Sequence, residues 1–208
     1  IGEQTCQGLV YDLASVSKVV GVGTVLNFLW KQGKIELDRS IKTYLPEADY
    51  PDITIRQLLT HATDLDPYIP NRDQLSEAQL REAMFHLNRR DKRAFLYSDV
   101  HFLLLGFLLE NYFEKNLDQI LQEQVFDPWK MKETQFGLVS SAVPTVRGQK
   151  AGVVHDPKAR LLGRHAGSAG LFSTVKDLKL FLEHYLQDDF ADGLSQNFSD
   201  LSDKERSL

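Results

Sequence analysis

The chain has 208 residues, of which 42% are hydrophobic and 25% charged, the balance of an ordinary globular protein rather than a disordered or fibrous one. That length suffices for one buried core, and residues 1–208 are treated as a single unit. A formal net charge of -5, with no long run of Lys and Arg, leaves no basic field for phosphates and excludes nucleic acid as an expected partner. The most apolar stretches, 19–30 and 102–109, are shorter than the ~20 residues that span a bilayer, so no transmembrane segment is expected. Cys6 is the only cysteine, which excludes an internal disulfide and a cysteine-rich metal site. The first residues lack the charged and apolar regions of a secretory signal.

In chain order, Val16, Val19, Val20, Val25, Leu26, Leu29 and Trp30 put apolar residues on most faces of one segment and predict a buried helix stopped at Gly33. A loop follows to Pro46. Thr54 is placed to cap a short helix through Ile55, Leu58, Leu59 and His61, and Ser76 with Gln79 has the spacing of a capping box ahead of Leu80, Ala83, Met84 and Leu87. The nearly continuous apolar run from Ser98 to Phe113 predicts a central helix, and Leu117 to Val125 an amphipathic one ending near Pro128. Between Gly137 and Gly170 glycines and prolines interrupt every period, which predicts a long loop with short extended pieces. Thr174 with Asp177 then opens a last helix through Leu178, Phe181, Leu182 and Leu186, and the polar tail beyond Asp188 is expected to be irregular.

Ser15-Val16-Ser17-Lys18 sets a hydroxyl and an amine about one turn apart at a helix start, where unpaired N–H groups and a partial positive charge suit a developing oxyanion. A desolvated lysine there can accept the serine proton. The plain alternative is that Ser15 only caps the helix and Lys18 is solvated. Ser173-Thr174-Val175-Lys176 repeats the spacing, but it overlaps the Thr174 cap and puts Lys176 on a polar face, so Ser15 is the preferred nucleophile. Tyr97-Ser98-Asp99 stands just before the most apolar helix, where Tyr97 can share protons with Lys18; the alternative is that Ser98 or Asp99 caps that helix and Tyr97 packs against it.

These residues resemble the serine β-lactamase and penicillin-binding protein superfamily in its class C-like branch. Leu13-Ala14-Ser15-Val16-Ser17-Lys18 is similar to its first motif, and Tyr97-Ser98-Asp99 resembles its second, usually Tyr-x-Asn. Leu58 to Thr63, Pro128 to Thr134 and Ala169 to Thr174 resemble further family segments in the same order. The resemblance implies that Ser15 attacks a carbonyl and is acylated, that Lys18 and Tyr97 exchange protons, that Asp99 binds substrate where relatives carry asparagine, and that the Ser15 N–H is one oxyanion donor. It also implies an amide, β-lactam or ester substrate, small or peptidoglycan-like, and work outside the cytoplasmic membrane. The family's third motif, Lys or His then Thr or Ser then Gly, is not found; His165-Ala166-Gly167 matches it only superficially. No strand is evident before Ser15. The expected fold is therefore mostly α, the helical domain of the β-lactamase and DD-peptidase-like α+β fold with most of its sheet outside this chain. A non-catalytic binding or sensing domain, or an inactive helical piece, are the alternatives to a hydrolase.

His155, Asp156 and His165 are weak candidates for the rim of the site. No ligand spacing such as His-Glu-x-x-His occurs, so neither metal nor cofactor is expected. Gly21-Val22-Gly23 lacks the rest of a dinucleotide fingerprint and is read as close helix packing, and the absence of Gly-x-Ser-x-Gly argues against an α/β-hydrolase arrangement.

Overall fold

A computed structural model describes residues 8–145, 150–187, 196–203 and 205–206. Cys6 and part of the polar tail lie outside the described residues. The chain enters through strand β1 (Val10–Asp12), turns at Leu13 to Ser15, and continues as helix α1 (Val16–Lys18), a π-helical segment (Val19–Gly23) and α2 (Thr24–Lys31). The apolar run read as one helix is thus continuous but widened in its middle. There Gly21 lets Leu121 approach so closely that a Cβ would lie 2.9 Å from its side chain, and Thr24 Oγ1 donates to the Val19 carbonyl at 2.6 Å. Such a widening moves the face carrying Lys18 relative to the face of α2.

Helices α3 (Ile55–Leu59) and α4 (Glu77–Phe85) begin with the capping boxes that Thr54–Gln57 and Ser76–Gln79 supply. Helix α5 (Asp99–Phe113) is the centre of the molecule. Every residue from Val100 to Glu110 is buried, which is why its sequence shows no polar stripe. Its one buried acid, Glu110, accepts from Arg81 Nη1 at 2.7 Å and from the Leu117 N–H at 3.0 Å, and is bonded to His165 as well. That contact puts His165 on the Glu110 side of α5 rather than beside Ser15. Helix α6 (Leu117–Leu121) runs on into a second π-helical segment (Gln122–Phe126).

Strands β2 (Gln135–Phe136) and β3 (Leu171–Thr174) complete a three-stranded antiparallel sheet in the order β1-β3-β2, with Tyr11 opposite Ser173 and Phe136 opposite Leu171. β1 corrects the expectation of no strand before Ser15: three residues are too few for alternation to be read, and the strand exists by pairing with β3. The segment expected to be a loop from 137 to 170 also contains helix α7 (Pro157–Leu162), started by Asp156, whose carboxylate accepts from the Ala159 N–H at 2.7 Å with Pro157 at the first helical position. Helix α8 (Val175–Tyr185) follows β3. No helix of the described residues is long and apolar enough to cross a membrane.

Candidate active site

The turn between β1 and α1 is built by Asp12. One of its carboxylate oxygens accepts from the Ala14 N–H at 2.8 Å and the other from the His155 N–H at 2.9 Å. Ala14 is thereby held at φ 46°, a left-handed conformation that costs a residue with a Cβ about 1 kcal/mol. The Leu13 N–H is fixed to the Leu171 carbonyl at 2.9 Å and the Leu171 N–H to Ser17 Oγ at 3.2 Å, so β3 sets where the helix starts. Ser15 stands at the cap position, yet its side chain makes no cap hydrogen bond and the residue is exposed. Among the described residues its N–H donates to no protein acceptor. The capping alternative for Ser15 is not what the structure adopts.

Lys18 is buried, its side chain only 4% exposed. Its ammonium has three N–H groups and three partners: Ser15 Oγ at 3.1 Å, Asp99 Oδ1 at 2.8 Å and the Ser168 carbonyl at 2.9 Å. A buried cation requires such a complete set. Each partner comes from a different element. Asp99 opens α5, where Ser98 supplies the cap by accepting from the Val100 N–H at 3.2 Å. Ser168 arrives on a loop made close-fitting by Gly167, whose absent Cβ would lie 2.2 Å from the Phe102 carbonyl.

Tyr97 is 53% exposed, and its ring lies 5.1 Å from Lys18 Nζ and 4.6 Å from the His61 ring. The ammonium lies over the ring. Among the described residues the Tyr97 hydroxyl has no hydrogen-bond partner. Val16 and Val19 are exposed beside Ser15 and give this face an apolar border.

Beneath Tyr97 is a buried histidine pair not anticipated as part of the site. His61 ends α3 in a left-handed conformation (φ 56°), which turns its ring inward to meet His101 with their Nδ1 atoms 2.8 Å apart. The Ser98 N–H also points at His61 Nδ1, at 3.3 Å, so that nitrogen is the acceptor and His101 Nδ1 the donor; His101 Nε2 then accepts from Thr63 Oγ1 at 2.8 Å. Burial, aided by the charge on Lys18, pushes His61 down to about 4, and burial with its neighbour pushes His101 down to about 3, so both are neutral at neutral pH.

Lys158, in the first turn of α7, was also not anticipated. Its Nζ lies 3.2 Å from Asp99 Oδ2 and 3.6 Å from Asp156. Asp99 therefore sits between two lysines. Its burial raises its proton affinity, but the hydrogen bonds and charges of Lys18 and Lys158 outweigh that and hold the carboxyl below the usual carboxylate range. The Asp156-Pro157 pair was the available signal, a cap followed by proline, masked by the surrounding glycines. His155 is exposed, and Asp156 caps α7. The second Ser-x-x-Lys match resolves differently: Ser173 Oγ is buried against Thr134 Oγ1 at 2.8 Å, and Lys176 is exposed. Among the described residues no group of His, Cys, Asp or Glu side chains is arranged to hold a metal ion.

A β-lactamase family model matches residues 6–207. The chain is 27% identical over 221 residues to a putative D-alanyl-D-alanine carboxypeptidase of Escherichia coli (strain K12), covering 86% of this chain and 51% of that protein. Its fold superposes on FmtA from Staphylococcus aureus with a TM-score of 0.70 at 19% identity, covering 90% of this chain and 57% of that one. With the class C β-lactamase from Rhodobacter sphaeroides the TM-score is 0.66 at 18% identity, covering 91% and 57%. The chain spans about half the length of the curated relatives it matches. With its Ser15–Lys18 turn, its Tyr97-Ser98-Asp99 segment and this fold, the chain belongs to the β-lactamase family.

Proposed function

We propose that the chain carries the nucleophile of a serine hydrolase, in which Ser15 attacks an amide, β-lactam or ester carbonyl and is acylated, with Lys18 and Tyr97 handling the protons. The observation that carries this reading is the partner set of Lys18. Of its three neighbours, the Asp99 carboxylate and the Ser168 carbonyl can only accept hydrogen bonds, whereas the Ser15 hydroxyl can also donate. When Lys18 loses a proton, its two remaining N–H groups stay with the acceptors and the lone pair faces Ser15. The amine is then oriented to take the serine proton as the Ser15 oxygen attacks.

The uncommitted Ser15 N–H at the head of α1 is one donor for the tetrahedral oxyanion, which collapses by expelling the leaving group as it takes up a proton. Tyr97, with its ring on the Lys18 ammonium and its hydroxyl unengaged, serves that proton traffic. Asp99 orients Lys18 and, being one-quarter exposed, borders the substrate. The substrate class is a small or peptidoglycan-like acyl compound. The relatives named as a D-alanyl-D-alanine carboxypeptidase and a β-lactamase support that range. Intact-mass measurement after incubation with a penicillin or an alkyl fluorophosphonate tests the reading: one adduct per chain that Ser15→Ala removes supports it, and an adduct that survives the substitution refutes it.

A further inference from the structure

Resting on that reading, we propose that Lys158 is a positioning residue, which holds the outer oxygen of Asp99 so that only the inner oxygen serves Lys18. Three observations converge. The two carboxylate oxygens are divided, Oδ1 to Lys18 at 2.8 Å and Oδ2 to Lys158 at 3.2 Å. The lysines come from helix starts far apart in sequence, α1 and α7, and both are largely removed from solvent, with side chains 4% and 14% exposed. Asp156, the cap of α7, steadies Lys158 from its other side at 3.6 Å.

The consequence is electrostatic as well as geometric. A lone carboxylate beside Lys18 favours its charged form, which cannot act as a base. A second ammonium on the same carboxylate offsets that by drawing on the same negative charge and by repelling the first. The other groups facing these lysines are the Ser168 carbonyl, Ser15 Oγ and the Tyr97 ring around Lys18 and the Asp156 carboxylate beside Lys158, with neutral His61 and His101 behind and the charges of Arg206 and Arg90 beyond them; of the groups in contact only Asp156 carries a full charge. Lys158 is thus the one other cation in contact with Asp99 among the described residues.

The test compares wild type with Lys158→Met, Lys158→Gln and Lys158→Arg. Methionine keeps the aliphatic stem that lines a hollow of about 490 Å³ between Leu75, Leu80 and Leu161. Glutamine repeats the loss of charge with a polar group. The rate of Ser15 acylation by an alkyl fluorophosphonate is followed across the neutral to alkaline range. In the same chains the carbon-13 resonance of Lys18 Cε, assigned by its loss in Lys18→Arg, is titrated. In the Met and Gln variants the rise of rate with pH moves to higher pH by about one unit, a roughly tenfold loss at neutral pH, and the resonance moves with it. Lys158→Arg keeps the wild-type profile. Neutral variants whose resonance coincides with wild type, or an arginine variant that behaves as they do, would overturn the proposal. A chain that forms no Ser15 adduct while its Lys18 resonance still answers to position 158 would instead sink the hydrolase reading and leave Lys158 its role.

Discussion

Two helix starts in this molecule carry the same Ser-x-x-Lys spacing, and they end in opposite states. At α1 the strained Ala14 and the anchored turn leave Ser15 exposed, its hydroxyl accepting from Lys18 and its N–H uncommitted among the described residues, while Lys18 is buried on three oxygen partners. At α8 the cap is taken by Thr174, which accepts from the Asp177 N–H at 3.2 Å; Ser173 is buried against Thr134, and Lys176 is out in solvent. The spacing is shared, but the lysine's environment is not. A serine beside a solvated ammonium has no base to activate it, because a fully hydrated lysine keeps its proton at neutral pH.

Substitutions at the two helix starts should have graded effects. The largest effect is expected at Ser15: Ser15→Ala abolishes acylation and costs about 1 kcal/mol of stability, since it takes from the buried Lys18 ammonium one of its three partners, as an adduct assay and a denaturant midpoint would show together. Next is Lys18→Met, for which the acylation rate should fall on the order of 10³-fold in single-turnover measurements. A thermodynamic contrast follows. The neutral His61 and His101 pair lies under the first site, with values of about 4 and about 3 in the folded chain against an ordinary 6.5. Between those values and 6.5 the unfolded chain binds more protons, so stability is complete above 6.5 and is lost as pH falls towards 4. Hydrogen exchange should then accelerate at residues 97–100 more than at 174–177. The smallest effects belong to the second start: Ser173→Ala should cost about 1 kcal/mol with the acylation rate unchanged, and Lys176→Met should alter neither stability nor rate measurably.

Much of the first site was legible because local chemistry writes it. The caps at Thr54, Ser76 and Thr174 and the all-round burial of α5 follow from residue type and period, and the structure has them where the sequence puts them. The desolvation of Lys18 could be read from the apolar helix that Ser15 opens. What could not be read depends on long-range pairing. β1 has only three residues and owes its existence to β3, so no period announces it. The partners of Asp99 and His61, and those of Lys18 other than Ser15, come from elements tens of residues away, which no local pattern specifies. Helix α7 and Lys158 are different, since Asp156-Pro157 is itself a helix-start signature within a stretch otherwise broken by glycines.

One alcohol, Ser15, is activated by one buried amine, Lys18. That activation is tested most directly by locating the covalent adduct with fragmentation mass spectrometry after treatment with a fluorophosphonate. A single modification on Ser15, lost in Lys18→Met and retained in Ser173→Ala, is the predicted result. Modification at Ser173, or labelling of Ser15 that is indifferent to Lys18, would contradict it.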